Sequence, residues 1–157
     1  IIAPGMRMGF FTAPEEFLNR LRRILPSGGV NQFASLAIYH YSKNSLPSHI
    51  ESINQILIHK KNAMISALQE NFGSNTKWNN PDGGLYIWVE LPSHSNTTIA
   101  HPIAFNENVG FLPGVGFSAD GFSGENKMRL CFGYNKPEEI QAGIKILSNV
   151  FFELDYL

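Results

Sequence analysis

The order in which helix-like and strand-like segments follow one another constrains this fold more than any other feature of the sequence. Four segments carry apolar residues every three or four positions, as expected for helices with one buried face: 15–25, 31–41, 48–72 and 137–151. Three shorter apolar segments lie between the last two and predict strands: 85–91, 109–112 and 127–132. Helices and strands in this order are typical of the α+β class. We therefore predict a small antiparallel-type sheet covered by helices.

Local signals mark the ends of the predicted helices. The sequences TAPE at 12–15 and SHIE at 48–51 each match a capping box, in which the side chains of the first and fourth residues accept backbone N–H groups. The run NKPE at 135–138 begins the last helix, with proline near its first position. PSGG at 26–29 ends the first helix and Gly73 ends the long one. For the segment 31–41 an irregular start stays open.

Two segments are less regular. A turn at Pro4 and Gly5 precedes a predicted short strand at 8–11. The polar segment 93–108 contains Pro102, which leaves room for a short helix at most.

Composition excludes several classes of protein. With 157 residues, 43% of them apolar, the chain can bury a core of its own. Its 12 basic and 13 acidic residues leave a net charge of -1, which gives no reason to expect nucleic-acid binding. No apolar run approaches the ~18 residues that span a membrane. No signal peptide is apparent, and we expect a cytoplasmic protein.

Most residues capable of chemistry have a structural interpretation. The single cysteine, Cys131, excludes a disulfide framework, and its apolar strand predicts a buried packing residue. The five histidines form no metal-binding motif, so no metal site is expected. Glycines at 114–124 do not open a helix in the G-x-G-x-x-G pattern and predict turns rather than a dinucleotide site.

Two arginines are harder to explain structurally. Arg7 follows the turn at Pro4 and Gly5, where its planar fork could face a phosphate or a carboxylate. Arg129 lies within an apolar strand, where alternation places it on the same face as Cys131. A cation in such a strand is costly to bury without a partner. Arg129 therefore either reaches solvent at a sheet edge or binds an anion.

The contexts of these arginines belong to an ordered series of motifs. In chain order they are IAPGMRMGF at 2–10, NQ at 31–32, KKNAM at 60–64, GGLYIWVELP at 83–92, VGFLPG at 109–114 and MRLCF at 128–132. The series resembles the fold-type I pyridoxal-phosphate aminotransferases of class I/II, most closely the aminoadipate, kynurenine and aromatic aminotransferase group. A single motif of this kind is weak evidence for a family. Six of them in the same order along the whole chain are specific evidence.

The resemblance implies a function and two binding residues. Arg7 would bind the phosphate of pyridoxal 5′-phosphate, and Arg129 would bind the α-carboxylate of the substrate. The implied reaction is transamination between an amino acid and a 2-oxo acid, with the cofactor as electron sink. The complete protein is expected to be a homodimer.

The resemblance also implies that part of the catalytic machinery is absent. The family's Schiff-base lysine would immediately precede Ile1, so no catalytic residue is assigned and the isolated chain is expected to be inactive. Residues 1–35 would be the carboxy-terminal tail of the large cofactor-binding domain, and residues 36–157 the small domain.

Two other interpretations stay open. The first is an aminotransferase-like effector-binding domain of a transcription regulator, which only the sequence upstream would distinguish. The second is a stand-alone α+β domain that mediates subunit interactions.

Overall fold

The structure is a computed structural model that describes residues 2–25 and 29–157. By its internal contacts the chain divides into two compact units, Ile1–Asn54 and Gln55–Leu157. Their boundary falls inside a helix, whereas the sequence places a domain boundary at residue 35. The assignment of residues to a large and a small domain stays a prediction.

The first unit contains a 3-10 turn at Pro4–Met6, helix α1 at Glu15–Ile24 and the amino-terminal part of helix α2 at Gln32–Asn71. The predicted turn and first helix are confirmed. The capping box at 12–15 is wrong, because α1 begins after Pro14 with no side-chain cap. The predicted helix stop is at 26–29, of which residues 26–28 lie outside the described residues.

The strand predicted at 8–11 is wrong, because these residues are irregular. A strand needs a neighbour with which its backbone N–H and C=O groups can pair. The described residues of this unit contain no other strand, so the segment has no such neighbour there.

Helix α2 joins two predicted helices into one of 40 residues. It begins regularly, since the Asn31 side-chain oxygen accepts a hydrogen bond from the Ala34 backbone N–H at 3.0 Å. Pro47 lies inside it although proline supplies no N–H to the helix ladder. The Ser48 hydroxyl donates to the Ser45 carbonyl at 3.1 Å instead of capping a new helix. The predicted helix start at 48–51 is therefore wrong.

The second unit is built around an antiparallel sheet. In its described residues the strands are β1 at Lys77–Trp78, β2 at Tyr86–Glu90, β3 at Leu112–Pro113 and β4 at Lys127–Cys131, in the spatial order β1-β2-β4-β3. The predicted strands at 85–91 and 127–132 are confirmed. The strand at 109–112 is shorter and lies later than predicted, and β1 was not predicted because two residues carry no readable alternation.

Two further helices complete this unit, α3 at Thr97–Asn106 and α4 at Pro137–Glu153. The Asn96 side-chain oxygen caps α3 by accepting the backbone N–H groups of Thr98 at 3.0 Å and Ile99 at 3.1 Å. Pro102 is tolerated in this ten-residue helix, which is the short helix predicted for the segment. No described helix is long and apolar enough to cross a membrane.

The sheet has two unlike faces because side chains alternate along β2 and β4. One face is buried and contributes Ile87, Val89, Met128 and Leu130. They join one core cluster with buried residues of α2 and α4: Met64, Ala67, Leu68, Ile140, Ile144, Leu147, Val150 and Phe151. The buried residues of α4 recur every three or four positions, which confirms the helix with one buried face predicted over 137–151. The architecture is the α+β class that the sequence predicts.

The opposite face of the sheet is open, and it carries Tyr86, Trp88, Arg129 and Cys131. The prediction that Cys131 is buried is wrong, since its side chain is exposed. Apolar neighbours in sequence made it resemble a packing residue. However, alternation places those neighbours on the buried face and Cys131 on the open one.

Candidate functional site

Arg129 occupies the centre of the open face. Its position in β4 lies directly opposite Trp88 of β2 on one side and Leu112 of β3 on the other. Strands on both sides fix its backbone, so the guanidinium projects from a rigid part of the fold. Of the two alternatives for this arginine, an edge position is excluded because β4 is an internal strand.

Two aromatic rings hold the guanidinium of Arg129. Its central carbon, Cζ, lies 4.0 Å from the centroid of the Tyr86 ring and 4.6 Å from that of Phe117. Rings at these distances attract a cation through their electron-rich faces. No pattern in the sequence indicates this arrangement, because the face that Tyr86 shares with Arg129 depends on how β2 pairs with β4.

The guanidinium has no anionic partner among the described residues. The ion pairs found there join Arg20 to Glu16 and Lys127 to Glu90. No side-chain hydrogen bond from Arg129 to a described residue is formed either. A planar guanidinium offers its N–H groups in a fork that matches a carboxylate. The arrangement can therefore bind a carboxylate through two parallel hydrogen bonds.

Phe117 reaches this position because two chain segments cross closely. It ends a 3-10 helix at Gly114–Phe117, directly after β3. A Cβ atom on Gly114 would lie 2.4 Å from the carbonyl oxygen of Gly124 and 2.8 Å from Cβ of Lys127. Only glycine fits here without a backbone shift. The predicted turns are present at 119–126, with positive φ at Gly121 and Gly124, and Gly114 in addition permits this crossing.

The loop after Phe117 is ordered by Asp120. Its carboxylate accepts hydrogen bonds from the Ser123 hydroxyl and from the backbone N–H groups of Ser123 at 2.8 Å and Phe122 at 2.9 Å. The Ser123 hydroxyl, followed by these backbone donors, lowers the pKa of Asp120 well below its ordinary value of 3.8. The ionised carboxylate thus stabilises the turn between Phe117 and β4.

A groove of about 310 Å³ lies beside Arg129. Its walls are mainly apolar and include Tyr86, His101, Phe105, Phe111, Leu112 and Cys131. His101 is half-buried and packs edge-on against Phe111 at 5.3 Å between ring centroids. A carboxylate bound at Arg129 would therefore have apolar surroundings on this side.

Arg7 lies in the first unit and is exposed. Its backbone is left-handed, with φ of 53°, and its N–H donates to the Pro4 carbonyl at 3.1 Å. The side-chain Nη1 also donates to that oxygen at 3.4 Å, and no described residue forms an ion pair with it. An exposed cation with most donors unused fits an anion such as a phosphate.

The structure thus places both predicted binding residues without testing their roles. Arg7 follows the predicted turn, and Arg129 shares a face with Cys131 as predicted. The described residues contain no group of three His, Cys, Asp or Glu side chains that could hold a metal ion.

Comparison with known proteins gives one consistent family. The sequence model of the family described as aminotransferase class I and II matches residues 2–147. Aromatic-amino-acid aminotransferase 1 of Thermococcus litoralis is 32% identical over 98% of this chain and 37% of its own.

A solved structure and a regulator are also similar. LysN, the α-aminoadipate aminotransferase of Thermus thermophilus crystallised with N-(5′-phosphopyridoxyl)-L-leucine, is 28% identical with a TM-score of 0.86, over 96% of this chain and 39% of its own. An uncharacterised HTH-type transcriptional regulator of Bacillus subtilis, YdfD, is 26% identical over 98% of this chain and 32% of its own. The chain therefore spans less than two fifths of the length of each of these proteins.

Proposed function

The chain belongs to the aminotransferase class I and II family, and from this we propose that it is the carboxy-terminal part of a pyridoxal-phosphate-dependent aminotransferase. The complete protein would transfer an amino group between an amino acid and a 2-oxo acid. One observation carries this proposal: an arginine with no ion-pair partner among the described residues is held on the open face of the sheet between two rings. Because the chain belongs to this family, we propose that the anion bound by Arg129 is the carboxylate of an amino acid.

One described residue, Arg7, suits the phosphate group of the expected cofactor, pyridoxal phosphate. Arg7 would hold its phosphate, because the side chain is exposed, permanently charged and hydrogen-bonded only to one backbone oxygen. A covalent phosphopyridoxyl compound occupies LysN, which is similar over nearly the whole of this chain. When bound, pyridoxal phosphate supplies the electron sink for bond breaking at the α-carbon of the amino acid.

Arg129 would bind and orient the substrate. Its fork accommodates both oxygens of the α-carboxylate, which fixes the direction of the α-carbon. The rings of Tyr86 and Phe117 lie against the guanidinium and hold it in place, while its N–H groups donate in the guanidinium plane.

We assign no proton transfer to this chain, and we propose that it is inactive alone. Two of its lysines are engaged in the fold: Lys60 donates to the carbonyls of Gly133 at 3.1 Å and Tyr134 at 2.9 Å, and Lys61 to that of Pro81 at 3.2 Å. Stoichiometric attachment of pyridoxal phosphate to one lysine of the chain, trapped by borohydride, would contradict this proposal.

The other parts of the proposal concern organisation. Residues 1–35 would complete the large cofactor-binding domain and residues 36–157 would form the small domain. The complete protein would be a cytoplasmic homodimer.

Substitution of Arg129 tests the carboxylate assignment. In the complete protein, Arg129→Ala should lower kcat/KM for amino-acid substrates about a hundredfold, because charge-assisted hydrogen bonds to the carboxylate are lost. Arg129→Lys should recover part of this loss, since it restores the charge but not the fork. Unchanged kinetics in Arg129→Ala would refute the assignment.

A second function has one specific observation in its favour, the similarity to YdfD over 98% of this chain. The same fold would then bind an effector for a transcription regulator. The gene sequence upstream of residue 1 separates the two, because a basic helix-turn-helix segment there would favour the regulator.

A further inference from the structure

We propose that Tyr86 and Phe117 are positioning residues that set how strongly the site selects a carboxylate, by clamping the Arg129 guanidinium between their rings. This inference rests on the proposed function, because it takes the bound anion to be the carboxylate of the substrate.

The clamp leaves one direction for recognition. The ring centroids lie 4.0 Å and 4.6 Å from Cζ of Arg129, so both rings contact the guanidinium and limit its movement. The N–H groups of a guanidinium all lie in its own plane, so only an acceptor in that plane can reach two of them. A carboxylate satisfies this condition with its two coplanar oxygens. An amide in its place offers one good acceptor and an N–H₂ group that faces the donors unfavourably.

Each ring is itself fixed by the fold. Tyr86 stands at the beginning of β2, opposite Cys131 of β4 and two positions from the residue paired with Arg129. Phe117 is held by the tight crossing of Gly114 with Gly124 and packs edge-on against Trp88, with ring centroids 5.5 Å apart. The rings therefore preorganise a side chain that has several rotatable bonds. Less conformational freedom is then lost when the carboxylate binds.

Neither ring is explained by the buried core, since Tyr86 is 42% exposed and Phe117 is 47% exposed. Tyr86 lies in the strand that the sequence predicts with an ordinary alternating pattern, and Phe117 lies outside every predicted strand or helix. Their closeness to a cation without an ion-pair partner is the observation that distinguishes them from other exposed aromatic residues.

The test compares an amino acid with its amide. Tyr86→Leu and Phe117→Leu are made in the complete protein and assayed with L-phenylalanine and L-phenylalaninamide as probes. Each should raise KM for the acid about three- to tenfold, the range that a partly exposed cation–π contact allows. KM for the amide and kcat for the acid should change little, because the guanidinium loses its preferred orientation and not its charge.

Matched variants separate positioning from loss of structure. Tyr86→Phe keeps the ring and should retain the KM of the unaltered protein. Tyr134→Leu and Phe122→Leu remove rings that are 92% and 79% exposed, and they should leave both substrates unaffected. A proportional rise in KM for acid and amide in Tyr86→Leu, or no rise for either, would overturn the clamp.

Nuclear magnetic resonance of the chain itself tests the geometry directly. With ¹⁵N-labelled arginine, the side-chain resonances of Arg129 should be displaced by ring currents and should move towards ordinary values in the double variant Tyr86→Leu/Phe117→Leu. Ordinary resonances before substitution would overturn the clamp.

Failure of the clamp can be distinguished from failure of the proposed function. If Arg129→Ala raises KM for the acid but not for the amide while the ring variants have no effect, only the clamp is refuted. If Arg129→Ala itself fails to discriminate acid from amide, the carboxylate assignment is refuted.

Discussion

The two units of this molecule differ in how far they bury their apolar side chains. In the second unit, side chains of the sheet, α2, α3 and α4 form one buried cluster. Among the described residues up to Asn54, in contrast, none is fully buried. Large apolar residues there are strongly exposed: Phe10, Phe33 and Ile24 are exposed by 92%, 86% and 76%.

This difference indicates which part of the chain is self-sufficient. Burial of apolar area is the main favourable contribution to folding, so the second unit contains the source of its own stability. Clustered exposed apolar residues usually mark surfaces that contact another protein or another part of one. The exposed helix α1 therefore supports the proposal that residues 1–35 complete a larger domain.

Substitution of phenylalanines tests this difference in burial and has the largest expected effect on the free energy of unfolding. Phe151 is 0% exposed and packs near Phe72 and Phe111, with ring centroids 6.2 Å and 5.9 Å away. Phe151→Ala should lower the free energy of unfolding by about 3–5 kcal/mol, because the cavity cannot close fully. Phe33→Ala, in the first unit, should change it by less than about 0.5 kcal/mol.

Urea unfolding followed by circular dichroism measures both changes. The neighbouring Phe152, which is 73% exposed, supplies the matched control, since Phe152→Ala removes the same ring from the same helix. Equal losses in Phe33→Ala and Phe151→Ala would show that the two units do not differ as described.

An effect of intermediate size is expected at the close crossing of Gly114 with Gly124. Gly114→Ala would place a Cβ atom 2.4 Å from the Gly124 carbonyl oxygen, so the backbone must shift. We expect a loss of about 1–3 kcal/mol in the free energy of unfolding. Because the shift moves Phe117, the same variant should also raise KM for carboxylate substrates in the complete protein.

Gly116→Ala is the control for this crossing. A Cβ atom on Gly116 meets no other atom within 4 Å, and the variant should be nearly neutral. If both alanine variants unfold at the same urea concentration, the crossing does not constrain the loop.

The smallest effect concerns the loop of Asp120. Its pKa is lowered in the folded chain, first of all by the Ser123 hydroxyl, so ionised Asp120 stabilises the fold. That contribution is fully present above the ordinary pKa of 3.8 and is lost as pH falls from there through the lower folded value. The stability difference between the unaltered chain and Asp120→Asn should therefore shrink as pH falls below this value.

Thermal unfolding at a series of pH values measures the difference. Asp82→Asn is the control, because Asp82 is also exposed and accepts no side-chain hydrogen bond from the described residues. A difference for Asp120→Asn that grows as pH falls would have the wrong sign and would contradict this account.

Much of the secondary structure of the second unit could be predicted from the sequence, because its apolar residues recur with the periods of strands and helices. Strands β2 and β4 and the buried side of α4 follow directly from alternation and helical spacing. The wrong predictions lie where a local signal does not match the surrounding structure. SHIE at 48–51 has the composition of a helix start, yet the chain continues through Pro47 in one helix. At 8–11 the apolar pattern of a strand is present, but no described strand pairs with it.

The candidate site was predictable only in part. Arg129 could be predicted as a candidate because a charged residue is unusual in an apolar strand. Arg7 could be predicted because the motif around it is specific to a family. Tyr86 and Phe117 could not be connected with Arg129, since 43 and 12 positions of sequence separate them from it. The prediction that Cys131 is buried is wrong because it rests on the apolar neighbours of Cys131 in sequence, which occupy the other face of the sheet.

By itself the sequence determined the α+β class and the family, and it indicated two arginines as candidate binding residues, because these depend on periodicity and on ordered motifs that local residues carry. Only the tertiary structure decided that the Arg129 guanidinium lies between two aromatic rings without an ion-pair partner among the described residues. That arrangement depends on strand pairing and on the close crossing at Gly114. Both are contacts between distant segments, and no local pattern encodes them.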